Sequence, residues 1–241
     1  MKTVHLTLQG KGGVGKSFVS ALLAQYLAEQ DPPVVCIDTD PVNSTLAGYK
    51  ALDVERIELM QEGTFQERKF DDMMERVLAV DANVVIDNGA SSFIQLSSYM
   101  TENDAWSMFA EYDKNVVVHT VVTGGQALLD TLTGFKALAE QLPPAVSLVV
   151  WLNEYFGAIE SDGKGFEDMA VYQANRERVA GLVRIHRQSE DTFGKDVGLM
   201  LDRKLTFAQA LESDDFKLMA RSRLRRVRDA LFGAIKSTQV I

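Results

Sequence analysis

Gly10-Lys11-Gly12-Gly13-Val14-Gly15-Lys16-Ser17 is the stretch on which the fold turns. Gly10 and Gly15 bracket four residues, and Lys and Ser follow directly, which is the pattern of a loop that wraps phosphate groups. Such a loop must aim several backbone N–H groups inward, and Gly12, Gly13 and Gly15 permit this without a clashing Cβ. Lys16 supplies positive charge. Ser17 brings a hydroxyl to the start of a helix, where Mg2+ would find a ligand beside unpaired backbone donors. With Phe18 in the same first turn, Gly10, Gly12, Gly13, Val14, Gly15, Lys16, Ser17 and Phe18 form the expected nucleotide cradle.

Working outward, Val4, Leu6 and Leu8 alternate as a strand does, and Val19, Leu22, Leu23, Tyr26 and Leu27 recur at helical spacing. The loop therefore joins strand to helix, as phosphate wrapping requires. Asp31-Pro32-Pro33 stops that helix. Val34 to Ile37 is a continuous apolar run of the kind buried on both faces of a parallel sheet, and it delivers Asp38 to the strand's C-terminal end. Ligands of open α/β sheets gather at that edge, so Asp38-Thr39-Asp40-Pro41 should face the phosphates. Asp40 before Pro41 reads equally as a helix N-cap with proline at the first helical position. Asn83 to Ile86 runs into Asp87, a carboxylate placed to hold Mg2+, usually through water. Ser17, Asp38 and Asp87 are thus the expected metal set. Residues 88–92 are small and polar, suited to a loop that changes shape with the γ-phosphate.

The remaining pattern predicts a short strand over 57–60, an amphipathic helix over 70–78, one helix over 93–112 and a buried strand over 115–122. His119 sits mid-strand among valines and threonine and reads as a hydrogen-bonded core residue. Leu128, Leu132, Phe135, Leu138 and Leu142 stripe a helix that Pro143-Pro144 closes. A strand over 146–152 ends at Asn153, a common turn residue. An exposed loop over 154–165, a helix to about 180 and a strand over 182–185 complete the sheet, with 186–194 continuing toward the base side. Segment 216–241 reads as a basic C-terminal helix and tail. Phe216, Ala220, Leu224, Val227 and Leu231 form its stripe beside Lys217, Arg221, Arg223, Arg225, Arg226 and Arg228. Its basic face is either solvated or a contact for DNA or anionic membrane.

The 241 residues, 46% hydrophobic and 24% charged, fit a single α/β domain over 1–241, with a mainly parallel sheet and helices on both faces. No apolar run reaches bilayer length, and no secretory signal opens the chain. Cys36 is the single cysteine, which suits the cytoplasm and excludes an internal disulfide. A net charge of −9 argues against a surface basic throughout, so any polyanion contact must be local. No CxxC, HExxH or nucleophile-elbow pattern occurs.

Lys11, a second lysine inside the loop, resembles the deviant P-loop of the ParA and MinD group of ATPases. In the wider chain, Cys36-Ile37-Asp38-Thr39-Asp40-Pro41-Val42-Asn43, Val84 to Phe93 and His119 to Asp130 resemble the TraL conjugal-transfer proteins of broad-host-range plasmids. Val149 to Asn153 and Leu205 to Leu211 extend the likeness over most of the chain. The resemblance implies ATP and Mg2+ as ligands, slow hydrolysis and an ATP-sandwich homodimer in which Lys11 acts on the partner's nucleotide. It also implies that Asp40 orients the attacking water, that Lys16 is catalytic and that Asn153 reads the adenine edge. The implied partner is a conjugation or DNA-transfer protein, and the implied place is the cytoplasm or the periphery of the inner membrane. ParA-type proteins more often carry Thr-Pro-Pro where this chain has Asn88-Gly89-Ala90.

Overall fold

The computed structural model describes residues 1–30, 33–61 and 63–241. Strand β1 (Lys2–Thr7) enters the glycine loop and helix α1 (Lys16–Ala28) leaves it. Asp31 and Pro32, read as the helix stop, lie outside the described residues. Then follow β2 (Val34–Asp38), β3 (Glu55–Arg56), β4 (Met60–Gln61), β5 (Thr64–Phe65), α2 (Glu67–Ala79) and β6 (Asn83–Asp87). The middle of the chain forms α3 (Phe93–Glu102), α4 (Ala105–Glu111), β7 (Lys114–Thr123), α5 (Leu128–Gln141) and β8 (Ser147–Asn153). Last come β9 (Glu160–Ser161), β10 (Lys164–Gly165), α6 (Ala170–Asn175), β11 (Val179–Ile185), α7 (Phe193–Asp202), α8 (Phe207–Glu212) and α9 (Leu218–Ser237).

Seven strands pair in the order β11-β8-β7-β1-β6-β2-β3, and every pairing within that sheet is parallel. All strand C-termini therefore lie on one edge, and the glycine loop sits there in the middle of the sheet. Alternation along the strands divides two cores. Val84 and Ile86 with Leu148, Val150 and Leu152 face α2 to α6, whereas Val85 with Val149 and Trp151 face α1 and α7 to α9. Burying each large apolar side chain on both faces contributes about 1.5–3 kcal/mol, which makes the centre of the sheet a rigid base for its edge loops.

The helix expected over 93–112 is two helices, because Asp104 takes a left-handed conformation (φ 49°) between α3 and α4. The strand expected over 57–60 is replaced by β3, which pairs with β2, and by the β4–β5 pair. The expected loop over 154–165 contains the antiparallel β9–β10 pair. The helix expected to run to about 180 stops at Asn175, and the edge strand begins at Val179. At Gly181 a Cβ would come 2.9 Å from that of Thr238, so the chain's tail packs on the edge strand. Helix α8, which periodicity did not reveal, starts with a Thr206–Gln209 capping box. His119 is a core residue as read, accepting from Trp151 Nε1 at 3.0 Å and lying 3.0 Å from His5 Nδ1.

Candidate nucleotide site

The glycine loop takes left-handed turns at Gly13 (φ 75°) and Gly15 (φ 104°), conformations that residues with a Cβ resist. Gly15 is the N-cap of α1 and has no side chain to cap it, and among the described residues no acceptor takes the backbone N–H of Lys16, Ser17 or Phe18. Lys16 is buried and spans the loop, its Nζ donating to Lys11 O at 3.0 Å. Burial draws its ammonium below the ordinary lysine range, while Asp87 and Asp40 pull the other way. This is a cationic, donor-rich hollow. Beside it, Lys11 to Val14, Thr123 to Ala127 and Phe156 line an open cleft of about 440 Å³.

Below the loop, Asp87 ends β6 fully buried. Its Oδ1 accepts from Ser20 Oγ at 3.0 Å, and Oδ2 has no partner among the described residues. Burial pushes the carboxyl up to about 7, with the nearby Ser17 and Ser20 hydroxyls opposing the rise and the charge of Asp38 adding to it. A buried carboxylate oxygen left open beside a serine hydroxyl is the donor set a hard cation prefers. Asp38 differs. Its Oδ1 accepts from Asp40 N (3.0 Å) and its Oδ2 from Ala47 N (2.9 Å), so both oxygens hold loop backbone. Burial raises the Asp38 carboxyl, and those N–H groups oppose the rise.

Asp40 caps a turn and not a helix: its Oδ1 accepts from Val42 N (2.8 Å) and Asn43 N (3.1 Å), and the next helical turn begins only at Leu46. The loops after β2 and β6 touch here, since a Cβ on Gly89 would meet Asp40 Oδ1 at 2.9 Å. Thr39 strengthens the junction by donating through Oγ1 to Asp87 O (3.1 Å) and Asn88 Oδ1 (2.9 Å).

Asn153 is brought to the loop, but as a brace. Its Nδ2 donates to Val14 O at 2.9 Å and its Oδ1 accepts from Tyr155 N at 3.2 Å. Lys11 lies on the outer arch in an ion pair of 2.7 Å with Asp130 of α5, both largely exposed. At the expected base side, Glu154 is taken by Arg184 (2.7 Å) and His186 (3.1 Å). The sequence analysis gives no role to Ser20 or Asp130, and it names Thr39 and Asn88 only within the loops that face the phosphates. Ser20 had a signal, because it lies one helical turn beyond Ser17, on the same face. Asp130 had none, since its pairing depends on the fold.

The model of the CobQ/CobB/MinD/ParA nucleotide binding domain matches residues 6–212. Two proteins of Escherichia coli called Protein TraL are 47% and 45% identical to this chain over 241 residues, spanning the whole of each. The MinC:MinD cell division protein complex of Aquifex aeolicus contains a chain of similar fold, with a TM-score of 0.52 at 12% identity over 96% of both chains. The family match covers the loop, the strand-end carboxylates and Asn153, and the relatives match from end to end. The chain is therefore a TraL-type member of the CobQ/CobB/MinD/ParA family of nucleotide-binding domains.

Proposed function

We propose that this chain is a Mg2+-dependent ATPase that turns over slowly and switches between monomer and ATP-sandwich homodimer in plasmid conjugal transfer. The observation that carries the reading is the head of α1: left-handed Gly13 and Gly15 turn the backbone around an uncapped helix start, with Lys16 across the loop and Asp87 Oδ2 open beside Ser17. The loop N–H groups and Lys16 bind the phosphates and stabilise the charge that develops on them. Ser17 and Asp87 hold Mg2+, which when bound neutralises charge on the phosphate oxygens. Asp38, with both oxygens engaged, is assigned to holding the loop after β2. Asp40 orients water, its carboxylate fixed by the amides of Val42 and Asn43.

The dimer reading is supported by exposed apolar residues in the segments following the strands: Val42 after β2, Ile94 after β6, Leu129 after β7, and Tyr155 and Phe156 after β8. They ring the loop on the edge where a second copy would close over it. In that dimer Lys11 leaves Asp130 and reaches the partner's nucleotide. The conjugal role, with a DNA-transfer protein as partner, rests on the TraL relatives. The proposed place is the cytoplasm, at or near the inner membrane.

A non-catalytic adaptor that touches DNA or membrane through α9 has less support. Arg221, Arg223 and Arg228 are paired with Asp214, Asp196 and Asp229, and Arg226 lies over Phe193. Among the described residues only Lys217 and Arg225 of the basic set lack such a partner, too few for a strong polyanion surface. The test is titration with a fluorescent ATP analogue alongside phosphate release. Wild type should bind and turn over only with Mg2+, and Lys16→Ala should bind more weakly and turn over about 100- to 1,000-fold more slowly. Binding by Lys16→Ala equal to wild type would defeat the proposal.

A further inference from the structure

Both ends of the glycine loop are tied by hydrogen bonds to one helix. Gln9, immediately before the loop, is buried, and its Nε2 donates toward Val121 O (2.9 Å), Thr131 O (3.2 Å) and Thr120 Oγ1 (3.3 Å). Carbonyl acceptors fix which end of the amide is NH2. Its Oε1 has no partner among the described residues and presses on Gly134 of α5, where a Cβ would come within 2.1 Å of it. The other route starts inside the loop. Asn153 Nδ2 donates to Val14 O, Thr123 Oγ1 donates to Asn153 O at 2.9 Å, and Thr123 N donates to Thr131 Oγ1 at 3.3 Å. Thr131 therefore receives both routes, one on its carbonyl and one on its hydroxyl. Its neighbour Asp130 holds Lys11.

A merely space-filling residue at position 9 would be apolar. Gln9 instead buries an unpaired acceptor, and α5 accommodates it with a helix-weakening glycine. Both features are locally costly, and what they retain is a stiff connection between loop and helix.

We infer that Gln9, Thr123 and Thr131 are positioning residues that make α5 the lever of the nucleotide loop. A contact on the exposed first turn of α5, at Leu129 and Asp130, is thereby transmitted to the loop's N–H groups. The inference rests on the nucleotide reading for its consequence, while the coupling itself is measurable without nucleotide.

The experiment is hydrogen–deuterium exchange on the full chain without nucleotide, comparing wild type, Thr131→Val, Thr131→Ser and Gln9→Met, followed by titration with a fluorescent ADP analogue. Thr131→Val and Gln9→Met should speed exchange about tenfold at the bonded amides that bracket the loop, Leu8 N to His119 O and Val19 N to Gly15 O, while α9 keeps its protection. They should weaken nucleotide affinity about fivefold, because the loop is less often in its binding shape. Thr131→Ser, which keeps the hydroxyl, should match wild type in both. Unchanged exchange at the Leu8 and Val19 amides in Thr131→Val and Gln9→Met overturns the inference, as does a rise spread equally over α9 and β11. Faster loop exchange with no nucleotide bound even by wild type would support the coupling and defeat the proposed function.

Discussion

The two ends of the parallel sheet bury polar groups alike but spend them differently. At the strand N-termini Lys114 is buried and donates to Val80 O at 2.6 Å, and Asn83 Oδ1 accepts from Thr3 N at 2.9 Å. Those groups answer backbone left over where strands and α2 stop. At the C-termini β1, β2, β6, β7 and β8 end on Thr7, Asp38, Asp87, Thr123 and Asn153, all buried. Here, besides Gln9 Oε1 against α5, demands stay open toward the loop: the second oxygen of Asp87 and the N–H groups at the head of α1. Burial of polar residues therefore does not mark the site. Single orphans occur elsewhere among the described residues, as at His5 Nε2 and Arg221 Nε; what marks the site is an open carboxylate oxygen together with the free donors of a helix start, which a parallel sheet collects on one edge.

The largest effect should come from the lysines that represent the two ends. Lys16→Ala is expected to lower turnover by about 100- to 1,000-fold, since it removes charge from the phosphate cradle, with little change in melting temperature, since the carbonyl it releases belongs to exposed Lys11 and is open to water. Lys114→Ala should leave nucleotide affinity intact and cost about 1–3 kcal/mol of stability, because Val80 O loses its donor. Parallel titration and thermal melts check both. Equal losses of affinity in the two variants would erase the contrast between the ends.

Next comes the outer arch. Lys11→Ala should abolish ATP-dependent dimers while monomeric nucleotide affinity stays within about threefold, as expected for a residue that does not touch its own phosphates. Asp130→Ala removes the competing ion pair and should lower the protein concentration at which dimers form, by at most about fivefold for an exposed pair. Sizing across a concentration series in Mg-ATP reads both.

Much of this contrast is legible in the sequence, and its limits are physical. The loop could be read because glycine spacing reports backbone conformation directly, and Asp38 and Asp87 because apolar runs fix where buried strands stop. The role of Asp38 could not, since it depends on which backbone N–H groups the following loop folds back. Asn153 likewise became a brace only through its approach to Val14. Helix periodicity carried across 93–112 because apolar spacing continues through Asn103-Asp104, where a left-handed residue breaks the helix without breaking the pattern. The basic stripe of α9 was visible, whereas the acids that neutralise it come from α7, the 213–217 segment and the helix itself.

A subtler effect separates the open carboxylate from the core histidine His5. Asp87 has its folded value raised to about 7 from 3.8, so the nucleotide-free fold binds a proton that the unfolded chain releases in that interval. Stability from this group is present at low pH and is lost as pH rises through about 7. His5 is lowered to about 3 from 6.5 by burial and acts in the opposite sense, losing stability as pH falls below 6.5. Asp87→Asn should therefore melt higher than wild type at pH 8 in the absence of nucleotide, the gap closing toward pH 5. Mg-nucleotide affinity of wild type should fall below about pH 7 as Asp87 takes up its proton. A melting difference independent of pH would remove Asp87 from this account. The smallest effect is expected at Arg225→Ala on α9, within about 0.5 kcal/mol in stability and without change in nucleotide binding.

The measurement that tests the central claim most directly is light scattering after sizing, in Mg-ATP, in Mg-ADP and without nucleotide, with Asp40→Ala alongside wild type. A dimer should form only in Mg-ATP, and it should persist longer in Asp40→Ala because hydrolysis no longer returns it to monomer. The same oligomer under all three conditions would contradict that claim.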